Sequence, residues 1–146
     1  MIRKMQIADY SDVYNLWLAN KGMGLNDVDD SESGIVRFLD RNPDTCFVAE
    51  RDGRLVGVIM AGQGGGRRGL IYHTAVHPDY HRQGIGSALV SAALETLRSV
   101  GITKVALVVF ERNQGGNAFW EKQGFTVRND LTYRNKALVE MVRKDT

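Results

Sequence analysis

Twelve residues constrain this chain more than any others: Val76-His77-Pro78-Asp79-Tyr80-His81-Arg82-Gln83-Gly84-Ile85-Gly86-Ser87. Before them, Gly69 to Val76 reads as a strand. After them, Ile85, Leu89, Ala92, Leu97 and Val100 recur on one face of a long helix that Gly101 is placed to end. Pro78 sets the turn out of the strand. A helix start exposes unpaired N–H groups and the positive end of the helix dipole, so this junction is a ready anion site. Gly84 and Gly86 carry no Cβ that would hold a phosphate away from the backbone. Spacing excludes two other phosphate loops. There is no Gly-x-x-x-x-Gly-Lys-[Ser/Thr], and Gly-x-Gly-x-x-Gly fails because Leu89 stands where the third glycine belongs.

The surrounding pattern is that of an α/β chain. Ile2 to Gln6 reads as a first strand. Tyr10, Val13, Leu16 and Trp17 follow at helical spacing, with Asp9 or Ser11 as N-cap. Lys21 to Asp30 is a polar loop, and Ile35, Val36 and Leu39 mark a second helix ending before Pro43. Thr45 to Glu50 and Arg54 to Ala61 flank Arg51-Asp52-Gly53, a hairpin signal. Gly62 to Gly66 then connects to the strand ending at Val76. Lys104 to Phe110 is almost wholly apolar, as expected of a strand covered on both faces. Asn117 to Lys122 reads as a helix, Phe125 to Val127 as a strand and Ala137 to Val142 as a last strand. Leu70 to Phe110 should form a right-handed parallel crossover. The expected fold is one α/β domain over residues 1–146. Its sheet is mixed and mostly antiparallel, with a parallel splay between the fourth and fifth strands and helices on its faces.

Composition narrows the function classes. The net charge of +2 is too small to bind nucleic acid or membranes by bulk electrostatics. One cysteine, Cys46, allows no internal disulfide and fits a cytoplasmic setting. Cys46 opens an apolar run and reads as a buried core thiol. Met1 to Met5 lacks the apolar stretch of a secretory leader, and no window approaches the ~20 apolar residues of a membrane span. His73, His77 and His81 lie four residues apart, but Pro78 prevents one continuous helix, so no metal site is read from them.

His77-Pro78-x-Tyr80-x-x-x-Gly84-Ile85-Gly86 followed by an apolar helix resembles the acetyl-CoA signature of the GNAT N-acetyltransferases, Arg/Gln-x-x-Gly-x-Gly/Ala. Downstream, Asn113…Trp120-Glu121-Lys122-Gln123-Gly124-Phe125 is similar to that family's second signature, Asn…Tyr-Glu-Lys-x-Gly-Phe. The two cover roughly residues 70–127 at a fitting separation. The resemblance implies acetyl transfer from acetyl-CoA, as cosubstrate, to an amine of a small molecule or peptide, with a homodimer as the default assembly. It also implies roles. Backbone groups of Thr74, Ala75 and Val76 would pair with the pantetheine arm. The N–H groups of Arg82, Gln83, Gly84, Ile85, Gly86 and Ser87 would hold the pyrophosphate, and Asn113 would bond the pantetheine or thiol end.

Three positions depart from the family pattern. His81 stands where the signature opens with Arg or Gln, so its charge depends on pH. Trp120 stands where many members use a tyrosine to protonate the leaving thiolate. An indole N–H donates a hydrogen bond but is no usable acid. A thiol pKa near ~8.5 still makes thiolate a tolerable leaving group. Val108 stands where ribosomal-protein alanine acetyltransferases carry a glutamate base.

Chemistry needs a base, because a lysine-like amine of pKa ~10.4 is mostly protonated near neutrality. Glu111 at the end of the fifth strand and Tyr72 or His73 on the fourth are the candidates, beside an ordered water chain or no dedicated base. On a regular strand, Tyr72 and His73 face opposite sides. Arg67-Arg68 could meet an acidic group, and Asp27, Asp29 and Asp30 a cationic amine, though solvated turns explain both. No activated nucleophile is evident, so direct attack by the amine is expected. A non-catalytic acyl-CoA-binding module is the alternative, motivated by Trp120 and Val108.

Overall fold

The computed structural model describes residues 1–145. Its elements in chain order are β1 (Ile2–Lys4), α1 (Tyr10–Leu18), β2 (Leu25–Asn26), α2 (Glu32–Arg41), β3 (Cys46–Arg51), β4 (Arg54–Gly64), β5 (Arg68–Val76), α3 (Ile85–Ser99), β6 (Val105–Ala106), α4 (Gln114–Lys122) and β7 (Arg143–Lys144). Five strands form a sheet in the order β1-β3-β4-β5-β6, and β2 pairs with β7 apart from it. Every contact in the main sheet is antiparallel except β5–β6. This is the expected mixed α/β fold. The short β2 makes β5 and β6 the strands expected as fourth and fifth.

Each face of the sheet buries its own core. On one face, Val13, Leu16 and Trp17 of α1 and Ile35 of α2 cover Cys46, Val48, Val58, Met60 and Ala75. On the other, Ile85, Leu89, Val90, Ala93 and Leu97 of α3 cover Ala49, Ile59, Ala61 and Ile71. The strand buried on both faces is therefore β4, where every residue from Val56 to Gly62 is buried. The β3–β4 hairpin turns at Asp52 and Gly53, with φ of 55° and 72°. Two successive left-handed residues suit the twist of a tight hairpin, which is why Asp-Gly marks it in sequence. Cys46 is fully buried, and burial pushes its thiol up to about 11.

The chain beyond β5 departs from expectation. Among the described residues Lys104 to Phe110 pairs only through Val105–Ala106, and Val108 is exposed. An apolar run at a sheet edge has no second neighbour to hold it, so apolar content alone did not make it a doubly covered strand. Phe125–Val127 is not a strand. The last strand lies at Arg143–Lys144, just past the expected Ala137–Val142.

The β2–β7 pair matches Leu25 to Lys144 and Asn26 to Arg143. It is extended by Asp27 N–H to the Val142 carbonyl (3.1 Å) and Val142 N–H to Asp27 Oδ1 (2.6 Å). Next to it, Asn26 Oδ1 accepts from the N–H groups of Val28 and Asp29, and the Asp30 Oδ2 accepts from Asn26 N–H. Ser31 caps α2 by accepting from Gly34 N–H. The segment expected as a plain polar loop is thus a tightly bonded turn.

Candidate acetyl-CoA and acceptor site

β5 and β6 pair through Gly69–Val105 and Leu70–Ala106, then separate. The rest of β5 keeps one edge without a strand partner among the described residues. His77 donates its N–H to the Val56 carbonyl on β4 (2.8 Å). Strand alternation therefore turns the amide edge of Val76 outward. There its carbonyl accepts from His81 Nε2 at 2.7 Å. His81 is thus tied back to the strand rather than held out toward an anion, and the bond places its N–H on Nε2. Thr74, also on the free stretch, has a buried Oγ1 without a hydrogen-bond partner among the described residues.

The junction into α3 turns through two left-handed residues. Arg82 lies at φ 61° and Gly84, the N-cap, at φ 80°. Glycine adopts that region without penalty, whereas a non-glycine residue there is strained, a feature common at ligand clamps. The first intrahelical bond runs from Ala88 N–H to the Gly84 carbonyl. Ile85, Gly86 and Ser87 therefore present N–H groups ahead of it, and no acidic side chain sits in the first turn to compete for them. Gly86 serves packing as well: a Cβ there would meet Phe119 of α4 at 3.0 Å. Gln83 accepts from Arg51 (2.8 Å), and Ser87 from Gln123 at the end of α4 (2.8 Å).

Asn113 caps α4, its Oδ1 accepting from Gly116 N–H at 2.9 Å. This is a structural duty that the sequence did not reveal. Asn117, also unforeseen, donates to the carbonyls of Phe110 (3.0 Å) and Asn113 (2.8 Å). An asparagine within a helix is a poor helix former, and that was its only signal. Trp120 packs edge-on between Phe119 and Phe125, at centroid distances of 5.0 and 5.2 Å.

On β5 the register slips. Ile59 pairs with Thr74 and Ala61 with Ile71, so Met60 faces both Tyr72 and His73. This bulge breaks the alternation that would send the two rings to opposite faces. Both lie on the α1–α2 face instead. Tyr72 packs edge-on against Phe38 of α2 and His73 edge-on against Trp17 of α1. Burial, then the charge of Asp29, pushes the half-exposed Tyr72 phenol up. His73 Nε2 lies 2.6 Å from Asp30 Oδ1, whose side chain is only 6% exposed. Glu111, expected at the end of the fifth strand, lies instead in a turn before α4, because β6 ends at Ala106. It is exposed, and its carboxylate makes no hydrogen bond or ion pair among the described residues.

These residues fit a long anionic thioester donor. The helix start offers free N–H groups, the strand edge is open, and Thr74 carries an orphaned hydroxyl. Residues 10–125 match the Acetyltransferase (GNAT) family. An acetyltransferase of Sodalis glossinidius is 34% identical over 95% of this chain and 96% of its own length. One of Pectobacterium atrosepticum is 34% identical over the same shares. The structure of PaiA N-acetyltransferase from Thermoplasma acidophilum, in complex with coenzyme A, shares the fold at a TM-score of 0.75 and 20% identity, covering 88% of this chain and 90% of that one. The chain belongs to the GNAT family and is an acetyl-CoA-dependent acetyltransferase.

Proposed function

We propose that this enzyme acetylates a primary amine on a small molecule or peptide. The observation that carries the assignment is the meeting of two open rows of backbone, the start of α3 and the free edge of β5, beside a face lined by Tyr72 and His73. Bound acetyl-CoA supplies the activated acetyl carbonyl. The N–H groups of Arg82 to Ser87 hold its pyrophosphate. The edge of Thr74, Ala75 and Val76 lines the pantetheine arm, with Asn113 and Trp120 toward its thiol end. This positioning, with a backbone N–H on the thioester oxygen, is the main source of rate. Of the candidate bases, Glu111 is solvated, and the raised Tyr72 phenol stays protonated and serves better as a donor.

Calorimetric titration with acetyl-CoA and separately with ATP, beside thiol release over a panel of amines, tests the assignment. Acetyl-CoA binding with release on at least one amine is the expected result. Binding without release on any amine overturns amine acetylation. A homodimer belongs to the same proposal. Exposed Val108, Leu131, Tyr133, Leu138 and Val142 support it, and a monomer by sedimentation velocity would refute it.

A further inference from the structure

We propose that Asp30 and His73 form the proton-accepting pair of this enzyme, with His73 as the base and Asp30 as the residue that sets its tautomer; this rests on the amine assignment above. Asp30 is only 5% exposed, and its two carboxylate oxygens are used differently. Oδ2 accepts from Asn26 N–H at 2.8 Å, which fixes the group within its turn. Oδ1 faces His73 Nε2 at 2.6 Å. A carboxylate only accepts, so Nε2 carries the proton and donates it. The other ring nitrogen, Nδ1, is then the lone-pair nitrogen, and it makes no hydrogen bond among the described residues. Trp17, with ring centroids 4.9 Å apart, holds the imidazole edge-on. Tyr10 Oη donates to the Asp30 carbonyl at 2.7 Å and fixes the turn from the α1 side.

The bulge supplies the placement. It brings His73 onto the α1–α2 face one residue before Thr74, on the stretch of β5 past Leu70 that keeps β4 on one edge and has no β6 pairing on the other. A mere strut between loop and sheet would need no histidine with one nitrogen left free. In the step, Nδ1 takes one proton from the ammonium form of the acceptor. The freed lone pair forms the C–N bond as the C–S bond breaks, and its electron pair leaves with sulfur. The second N–H proton goes to that sulfur, giving the thiol. His73 then returns its own proton to water.

Two variants separate chemistry from support. Gln at position 73 can still donate to Asp30 through its amide but cannot accept the proton. Asp30→Asn presents an N–H to Nε2 and so forces the proton onto Nδ1. We expect His73→Gln to lower kcat about 100-fold or more, the usual contribution of a general base. Asp30→Asn should act in the same direction, and both should leave the KM for acetyl-CoA within about twofold. The loss should shrink on fluorinated, weakly basic analogues of the alkylamine substrates, which are already unprotonated near neutrality. A structural defect would lower the rate equally on both. Equal losses on the two amine types, or unchanged kcat in His73→Gln, would overturn the pair's role while wild-type turnover still stood. Wild-type failure on every amine would overturn the pair and the amine assignment together.

Discussion

Gly34 and Gly115 invite the same substitution with opposite outcomes. Gly34 sits in the first turn of α2, pressed onto the turn that holds Asp30. A Cβ there would meet the Asp29 carbonyl oxygen closer than any permitted contact, the Val28 carbonyl oxygen at 2.5 Å and the Asp29 carbonyl carbon at 2.7 Å. All three are backbone atoms, so no rotamer change relieves the clash. Overpacking of this kind costs about 1–3 kcal/mol, and rigid neighbours place it near 3. Alanine recovers about 1 kcal/mol of helix propensity, leaving Gly34→Ala less stable by about 2 kcal/mol. Gly115 in α4 has nothing within 4 Å of its Cβ position. Gly115→Ala should therefore gain about 0.5–1 kcal/mol by restricting the unfolded chain. Urea unfolding reads both. With a slope near 2 kcal/mol/M, the Gly34 variant loses about 1 M in midpoint at unchanged slope, and the Gly115 variant moves slightly the other way. Equal midpoints for the two variants would refute the close approach of α2 to its preceding turn.

Four further outcomes follow from the packing and the charges. Leu89→Ala, at a fully buried site between α3 and the sheet, should cost about 2–5 kcal/mol in the same assay, and a loss below about 1 kcal/mol would contradict the burial. Asp9 is held below the usual carboxylate range chiefly by its two bonds to Arg3. Its folded value lies under its unfolded one, so its contribution is full above the unfolded value of about 3.9 and fades as pH falls through the folded value. The midpoint gap between wild type and Asp9→Asn should therefore close in acid, and a gap constant to pH 2 would contradict this. Cys46, pushed up to about 11 by burial, should resist disulfide reagents at pH 8 until the chain unfolds; fast labelling of the native protein would contradict it. Arg82→Gly relieves a left-handed arginine and should raise stability by about 1 kcal/mol. If backbone N–H groups hold the pyrophosphate, acetyl-CoA affinity should stay within a few-fold by calorimetry.

What could be read from the residues was whatever is local. The α3 helix with Ile85, Leu89 and Leu97 on its buried face, the Gly84-Ile85-Gly86 start and the Asp52-Gly53 hairpin each follow from nearby side chains and stand in the structure. Val100, expected on that face, lies past the helix and is exposed, and Val90 and Ala93 are buried in place of Ala92. The bulge at Tyr72–His73 had no such signature. Leu70 to Val76 alternates too weakly to show a slipped register, and the slip depends on how β4 lies beside it. Asp30 and His73 are 43 residues apart, so their pairing is a product of the fold. The pattern could name both residues but not join them. Asn113 carried a family-like role in sequence, while its capping of α4 depended on where that helix begins. The strands expected at Phe125–Val127 and Ala137–Val142 failed for the reverse reason: their apolar residues suited a sheet, but strand pairing is decided by neighbours.

The β2–β7 clasp has a temporal consequence. Asp27 is bonded to a residue 115 positions further along the chain. At roughly 5–20 residues per second, a ribosome takes about ten seconds or so to cover that distance. Throughout that interval the turn carrying Asp30 lacks its distant clamp, and β3, β4, β5 and α3 are all complete once Ser99 is made, well before Val142 follows. A nascent chain therefore owns strands β3, β4 and β5 and the start of α3 before the turn carrying Asp30 is braced. The order of synthesis thus separates the helix start and the braced turn in time.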